Sequence, residues 1–205
     1  VVMEVSSQEL VQQRTAGLTF EAAVFTNLSP EHLDYHGDIE RYFAAKAMLF
    51  TQCRRAVIHT GDPYGRRLAE QVTVPVTPYH LPWRYRCEAG RSILPWRGGQ
   101  LVSPLTGEVF LPDALAAAET AVAMGVSPGQ VMAAMPHAPS IPGRAELLWQ
   151  GQGRTIMRDY AHTPDALERM LRSLWRVHGG RLLVLFGCGG CRDRKKRPMM
   201  AGAAA

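Results

Sequence analysis

Short apolar runs separated by segments with helical spacing constrain this fold more than any other feature of the sequence. Val1–Val5, Ala22–Thr26 and Arg55–His59 each have the length and the apolar content of a strand. Such continuous runs are typical of strands buried on both faces, as in a sheet covered by helices. Between them, Ile39–Phe50 predicts an amphipathic helix with Asp38 as its N-cap. The pattern therefore predicts an α/β fold with a parallel-rich sheet.

The middle of the chain has a different composition. Pro75–Pro112 contains six of the fourteen prolines, which predicts short strands and turns rather than long elements. Asp113–Met124 is rich in alanine and predicts a helix that ends at Gly125. Ser127-Pro128 then marks the start of another helix, as an N-cap followed by a first-turn proline.

A strand–helix–strand pattern follows residues 137–143, which we interpret as a linker. Arg154–Asp159 predicts a strand, an amphipathic helix comes next, and Arg181–Phe186 predicts a second strand before a glycine-rich turn. Together they predict a βαβ unit, with two parallel strands and a right-handed crossover. Ligands of such sheets bind past the carboxyl ends of strands, so Asp159 and His162 are candidate site residues.

The composition limits the classes of protein to which the chain can belong. Of its 205 residues, 46% are hydrophobic and 20% are charged, which is typical of a soluble globular protein and excludes a disordered or coiled-coil chain. No apolar run approaches the ~18 residues of a membrane span. The net charge of +5 permits anionic partners but does not require nucleic acid. Four cysteines do not make a disulfide framework at this length, so we expect a reducing, cytoplasmic location.

One lysine occupies an unexpected position. The chain has three lysines among 23 basic residues, yet Lys46 falls on the apolar stripe of the helix predicted at Ile39–Phe50. Its stem could cover apolar surface while the ammonium stays in water. Alternatively, a buried amine with a lowered pKa could react chemically. Spacing alone does not decide between these two interpretations.

Other polar residues also allow two interpretations. His32 could be a metal ligand or an ordinary turn or core histidine, and the polar residues between Glu4 and Arg14 could form a site or a solvated loop. Cys188 and Cys191 lack the two further ligands that zinc needs, and glycines fill the gap of a possible redox pair. The basic run 192–197 could contact phosphates, but no aromatic platform accompanies it, which disfavours nucleic acid.

Four segments together resemble the Mur ligases, and most of all the UDP-N-acetylmuramoyl-tripeptide synthetases. They are Met3–Phe50, IPGRAE at Ile141–Glu146, DYAHTPDALE at Asp159–Glu168 and FGCGGCRDRKKRP at Phe186–Pro198. The resemblance implies part of a central ATP-binding domain over residues 1–140. The start of a Rossmann-like C-terminal domain, with its first βαβ unit, would follow over residues 141–205.

The resemblance also implies an activity. The family forms amide bonds in peptidoglycan precursor synthesis: ATP phosphorylates the D-glutamate side chain of UDP-MurNAc-L-Ala-D-Glu, and the amine of diaminopimelate or lysine displaces phosphate from the acyl phosphate. Charge crowding at the γ-phosphate calls for Mg²⁺ and cationic side chains. We therefore expect a cytoplasmic enzyme, monomeric when complete, with ATP and Mg²⁺ as cofactors and neither nucleic acid nor membrane as a partner.

By matching the family's motifs, the resemblance assigns roles to individual residues. The metal ligands would be Glu4, His32 and Lys46, the last as a carbamate, with His32 and Lys46 also catalytic. The contacts to the UDP-linked substrate would be Ser6, Gln12 and Arg14, and Arg192 would contact the incoming amino acid. The nucleotide contacts would be Arg144, Asp159 and His162.

The sequence also departs from the family. It has no G-x-x-x-x-G-K-[ST] phosphate-binding loop, Gly107–Leu115 lacks the family's Phe-Asn-x-x-Asn motif, and Cys191 stands where aspartate is usual. The two ends suggest a fragment, so we expect the 205 residues alone to be inactive and marginally folded, with the amino-acid specificity motif beyond Ala205. Two alternatives stay open: a non-catalytic scaffold with a Mur-ligase-like fold, and the related folylpolyglutamate synthetases, which these motifs resemble less.

Overall fold

A computed structural model describes residues 1–31, 33–188 and 196–205. The helices are α1 (Ser7–Val11), α2 (Leu33–His36), α3 (Ile39–Ala47), α4 (Pro63–Gln71), α5 (Leu111–Ala123), α6 (Pro128–Ala134), α7 (Pro164–His178) and α8 (Lys196–Ala204). The strands are β1 (Ala23–Phe25), β2 (Ala56–His59), β3 (Val76–Tyr79), β4 (Arg86–Glu88), β5 (Arg91–Trp96), β6 (Gly99–Ser103), β7 (Glu146–Gly151) and β8 (Arg154–Arg158). Short 3₁₀ turns occupy Met48–Thr51, Glu108–Phe110 and Met135–His137.

The chain divides into two compact units. The first comprises Val1–Leu81 and Pro112–Val131, and the second comprises Pro82–Leu111 and Met132–Ala205. Both units combine strands with helices, so the predicted α/β class is confirmed. No helix in the described part of the chain is both long enough and apolar enough to cross a membrane.

A parallel sheet with the order β1-β2-β3 forms the centre of the first unit. Ala23 pairs with Ala56, which in turn pairs with Val76. The central strand β2 is the most deeply buried of the three, because a strand lies along each of its edges. The first three of its four residues are inaccessible to solvent. The strands predicted at 22–26 and 55–59 are therefore confirmed.

Helix α3 follows the prediction at its start and differs at its end. The Asp38 side chain accepts a hydrogen bond from the Arg41 backbone N–H at 2.8 Å, as an N-cap does. Its inner face buries Tyr42, Phe43 and Ala45. Beyond Ala47 the chain tightens into a 3₁₀ turn, which ends the regular helix three residues before the predicted Phe50.

The strand predicted at Val1–Val5 is wrong. These residues adopt no regular secondary structure, and Val1 and Val2 are fully exposed. An apolar run becomes a strand only when another strand pairs with it, and no such pairing involves this segment within the described ranges. Regular structure begins instead at α1, which Ser6 caps.

An antiparallel sheet, β4-β5-β6, belongs to the second unit. A two-residue turn at Arg97-Gly98 joins β5 to β6, and both residues have positive φ (46° and 80°). This is the backbone geometry that matches the twist of a tight hairpin. Ile93, Leu94 and Trp96 of β5 are buried.

The region predicted to contain a βαβ unit has a different topology. Strand β8 pairs with β7 in an antiparallel hairpin that turns at Gln152-Gly153. Helix α7 is confirmed: Thr163 caps its start, and Gly179, with φ of 60°, ends it. The strand predicted at Arg181–Phe186 is wrong, since this segment has no strand hydrogen bonding and Leu185 is fully exposed. The apolar content of Arg181–Phe186 suggested a strand, but it could not show which segment pairs with β8. In the structure β8 pairs with the nearby β7 instead.

Candidate active site

Lys46 lies on α3, half-buried in the first unit. Burial lowers the pKa of Lys46, because removal of water disfavours the charged ammonium. The negative charges of Glu4, Glu31 and Glu9 oppose this effect on the pKa. The structure therefore brings the desolvated amine within the electrostatic influence of three carboxylates from two segments of the chain, one of which is the predicted residue Glu4.

Helix α1 carries the predicted substrate contacts at its two ends. The Ser6 backbone N–H donates to Glu9 Oε2 at 2.7 Å, and the Ser6 hydroxyl accepts from the Glu9 backbone N–H at 3.2 Å. These hydrogen bonds with Ser6, followed by the charges of Arg14 and Lys46, lower the pKa of Glu9. Gln12 lies at the C-terminal end of α1 and is exposed, as is Arg14. Ser6 and Arg14 therefore lie near Glu9, whereas Gln12 has no assigned partner in this cluster.

A buried histidine that the sequence analysis passed over connects two of these elements. His36 ends α2, and its Nε2 atom lies 2.8 Å from the Ser7 hydroxyl. The His36 ring stacks on Tyr42, one turn before Lys46 on α3. The available signal was the polar segment Glu31–His36, but the spacing gave no indication that His36 is buried. His32 lies outside the described residues.

A second cluster lies at the base of the β7–β8 hairpin in the second unit. The Asp159 carboxylate accepts hydrogen bonds from the backbone N–H groups of Ala145 at 2.9 Å and Ala161 at 2.8 Å. The guanidinium of Arg144 lies 5.3 Å from the centroid of the Tyr160 ring. The Tyr160 and His162 rings lie 5.0 Å apart. The structure thus brings together Arg144, Asp159 and His162, the three predicted nucleotide contacts.

Tyr160 is the member of this cluster that the sequence analysis did not select. Its side chain is largely exposed, and its ring lies near both the guanidinium of Arg144 and the ring of His162. An aromatic face beside a cation suits a planar, negatively charged ligand, through stacking and charge together. The signal was its position in the DYAH segment, directly after the strand.

The base of the hairpin is held in place by charge and by packing. Glu146 accepts a hydrogen bond from the Gly143 backbone N–H at 2.7 Å and from Arg158 at 2.7 Å. These two contacts lower the pKa of the Glu146 carboxyl group. Ala145 is buried against Phe110 and Met170 in an apolar cluster. The neighbouring Arg144 is therefore attached to a fixed backbone.

Two family profiles match the chain. The Mur ligase middle domain matches residues 1–121, which is more than half of the sequence, and the Mur ligase, glutamate ligase domain matches residues 143–205. The chain belongs to the Mur ligase family. Individual Mur ligases are similar to this chain over all or nearly all of its length.

The UDP-N-acetylmuramoyl-L-alanyl-D-glutamate–2,6-diaminopimelate ligase of Geobacter metallireducens is 42% identical over 224 residues and covers all of this chain. The ligase of the same name from Pseudomonas aeruginosa is 43% identical over 221 residues. A solved structure with that name superposes with a TM-score of 0.72 at 33% identity, over 98% of this chain and 45% of its own. The Mur ligase chain spans 44% and 45% of the lengths of the two relatives.

The three metal ligands predicted for this Mur ligase differ in what the structure shows of them. Glu4 is an exposed carboxylate, Lys46 could bind a metal only after conversion to a carbamate, and His32 falls outside the described ranges. Within those ranges, no three His, Cys, Asp or Glu side chains lie close enough to hold a metal ion. The carboxylates whose charges act on Lys46, among them Glu4, are nevertheless of the oxygen-donor type that Mg²⁺ prefers. Arg192, predicted to contact the amino acid, and Cys191 also lie outside the described residues.

Proposed function

We propose that this Mur ligase chain acts in the ATP-dependent addition of an amino acid, diaminopimelate or lysine, to UDP-MurNAc-L-Ala-D-Glu. ATP activates the D-glutamate side chain as an acyl phosphate, and the amine of the amino acid displaces phosphate. The observation that carries the proposal is the half-buried position of Lys46 on α3, with its ammonium 5.9 Å from the centroid of the Tyr42 ring. The names of relatives that are 40–43% identical over the chain agree with it.

Lys46 would act as a carbamate. The neutral amine attacks carbon dioxide, a bond forms between Nζ and the carbon, and one proton is released. At the ordinary lysine pKa, only about one amine in a few thousand is neutral at pH 7, so burial of Lys46 favours the reaction. The side-chain charge changes from about +1 to about −1.

The carbamate of Lys46 would hold Mg²⁺ together with Glu4 and His32. When bound, Mg²⁺ neutralises charge on the transferring phosphoryl group. Ser6, Gln12 and Arg14 would contact the UDP-linked substrate, and Arg192 the incoming amino acid.

Nucleotide binding would use the cluster in the second unit. Arg144 supplies a positive charge, and the rings of Tyr160 and His162 supply flat surfaces. Both oxygens of Asp159 already accept backbone hydrogen bonds, so we propose that Asp159 holds the Arg144 and His162 backbones in place. We also propose a domain boundary at 140/141, a cytoplasmic location and a monomeric complete enzyme.

A non-catalytic scaffold is the second candidate function, favoured by the absence of the family's Phe-Asn-x-x-Asn motif from Gly107–Leu115. The test uses a ligase of its relatives' full length that carries this sequence, and measures phosphate release with ATP, Mg²⁺, UDP-MurNAc-L-Ala-D-Glu and each amino acid. We expect turnover with one of the amino acids. We also expect Lys46→Arg to reduce turnover by ~10²-fold or more, because arginine cannot form a carbamate. Absence of turnover with every amino acid would favour the scaffold.

A further inference from the structure

The Ser7–His36 pair is a polar contact enclosed in the first unit. Ser7 is 2% exposed and His36 is 7% exposed, and the Ser7 hydroxyl lies 2.8 Å from His36 Nε2. A hydrogen bond shielded from water is costly to break, because neither group can then find a water partner. This contact therefore fixes the start of α1 to the end of α2.

A face of the His36 ring contacts α3. The His36 and Tyr42 rings stack with centroids 5.1 Å apart and an interplanar angle of 21°, while Tyr35 meets His36 edge-on at 4.9 Å. The Lys46 ammonium lies 5.9 Å from the centroid of the Tyr42 ring. His36 thus connects the first residue of α1 to the helical turn that precedes Lys46.

Helix α1 depends on such contacts for its position. It has five residues, which is too short for a helix to be stable by itself in water. Glu9 lies within α1, Glu4 lies two residues before its cap, and both carboxylates act on the charge of Lys46. A displacement of α1 from α3 would change the distances between these carboxylates and the amine.

We propose that His36 is a positioning residue that holds α1 against α3 and thereby sets the place of Lys46 relative to Glu4 and Glu9. The proposal rests on the proposed role of Lys46 as a carbamate. It assigns to His36, a buried residue, a function without direct substrate contact. The Ser7 hydroxyl is the partner through which His36 acts on α1.

The experiment compares five variants of the full-length ligase that carries this sequence. Ser7→Ala removes one hydroxyl, His36→Leu removes the ring nitrogens and the stacking, and His36→Gln keeps a polar group at the reach of Nε2. Lys46→Arg identifies the carbamate signal. Tyr79→Phe is the matched control, because it removes a different buried hydrogen bond of the same unit, from the Tyr79 hydroxyl to Phe25 O.

Three quantities are measured: the ¹³C carbamate signal in labelled bicarbonate, kcat with the KM of each substrate, and the melting temperature. We expect Ser7→Ala and His36→Leu to reduce both the carbamate signal and kcat by about tenfold, as for a misplaced reacting group. We expect His36→Gln to retain most of the carbamate signal and kcat that His36→Leu loses. We expect Tyr79→Phe to lower the melting temperature about as much as Ser7→Ala while its carbamate signal and kcat stay unchanged.

Two results would overturn the proposal in distinguishable ways. If the wild-type ligase shows no signal that Lys46→Arg removes, the carbamate role of Lys46 fails, and the positioning role fails with it. If the wild-type ligase shows the signal, but Ser7→Ala and His36→Leu retain it and have the same kcat as the Tyr79→Phe control, only the positioning role fails. Ser7→Ala keeps the test decisive should His36→Leu not fold, since it removes a single atom from a buried site.

Discussion

At the scale of a residue, the burial of Lys46 destabilises its charged form and favours the reactive neutral amine. A charged amine loses solvation when it is buried, and the lowered pKa of Lys46 expresses that loss. A lysine retained only for packing would be placed better with its ammonium in water. The carboxylates that act on its charge and the low abundance of lysine in this chain both favour a chemical role. A lysine retained for chemistry would lower the stability of the folded chain, so stability measurements test this role independently of activity.

Replacement of Lys46 by methionine is expected to leave stability at pH 7 unchanged or increased. The ordinary pKa of 10.5 is lowered in the folded chain, so the unfolded chain binds more protons between the two values and stability rises with pH there. Below the folded-state pKa the full penalty is present, and methionine removes it while keeping the stem. Melting temperatures of the chain and of Lys46→Met between pH 7 and 10 test this. A clearly lower melting temperature for the variant at pH 7 would favour a structural lysine.

At the scale of an element, the carboxyl end of the parallel sheet is held by side chains from its neighbours. The Tyr79 hydroxyl donates to Phe25 O at 3.3 Å, and a His59 ring nitrogen lies 2.8 Å from Thr26 O. Asp62 accepts from the Leu28 backbone N–H at 3.3 Å and also caps α4. These contacts fix the backbone at the end of β1.

Asp62→Ala is expected to destabilise the first unit by about 1–2 kcal/mol, because α4 loses its N-cap and Leu28 loses an acceptor. Asp62→Asn keeps an oxygen for the cap and should cost less. Urea unfolding of the three proteins measures the difference in the free energy of unfolding. Equal midpoints for Asp62→Ala and the wild-type chain would contradict the prediction.

At the scale of the molecule, the second unit joins segments that lie more than sixty residues apart in sequence. The Ser173 hydroxyl, on α7, accepts a hydrogen bond from the Val109 backbone N–H at 3.5 Å, and Arg176 forms an ion pair with Glu108. Gly107 has φ of 113°, and a Cβ atom there would lie 2.3 Å from Ser173 Oγ. Residues 107–110 and α7 belong to the parts matched by the two different Mur ligase profiles, so this packing joins both within one compact unit.

Gly107→Ala is expected to destabilise the second unit by roughly 1–3 kcal/mol, because alanine is strained at this positive φ and its methyl group meets Ser173. Hydrogen exchange should rise in α7 more than in β1–β3, since the disturbance lies in the second unit. Gly90→Ala is the matched control: its φ of 83° is also positive, but no atom lies near the added Cβ. Equal losses in the two variants would show that backbone strain alone is responsible.

Local signals in the sequence were sufficient for β1, β2, α3 and α7, because caps, terminal glycines and apolar spacing act over a few residues. The resemblance to the family, and not local signals, assigned roles to Glu4, Ser6, Arg14 and Lys46 and to the Arg144–Asp159–His162 group, which the structure brings together. Tertiary structure decided which of the other apolar runs became strands. Val1–Val5 and Arg181–Phe186 did not, and β8 paired with β7, because strand formation depends on a partner elsewhere in the chain. The burial of His36 between Ser7 and Tyr42 was decided in the same way, by elements whose packing no local spacing encodes.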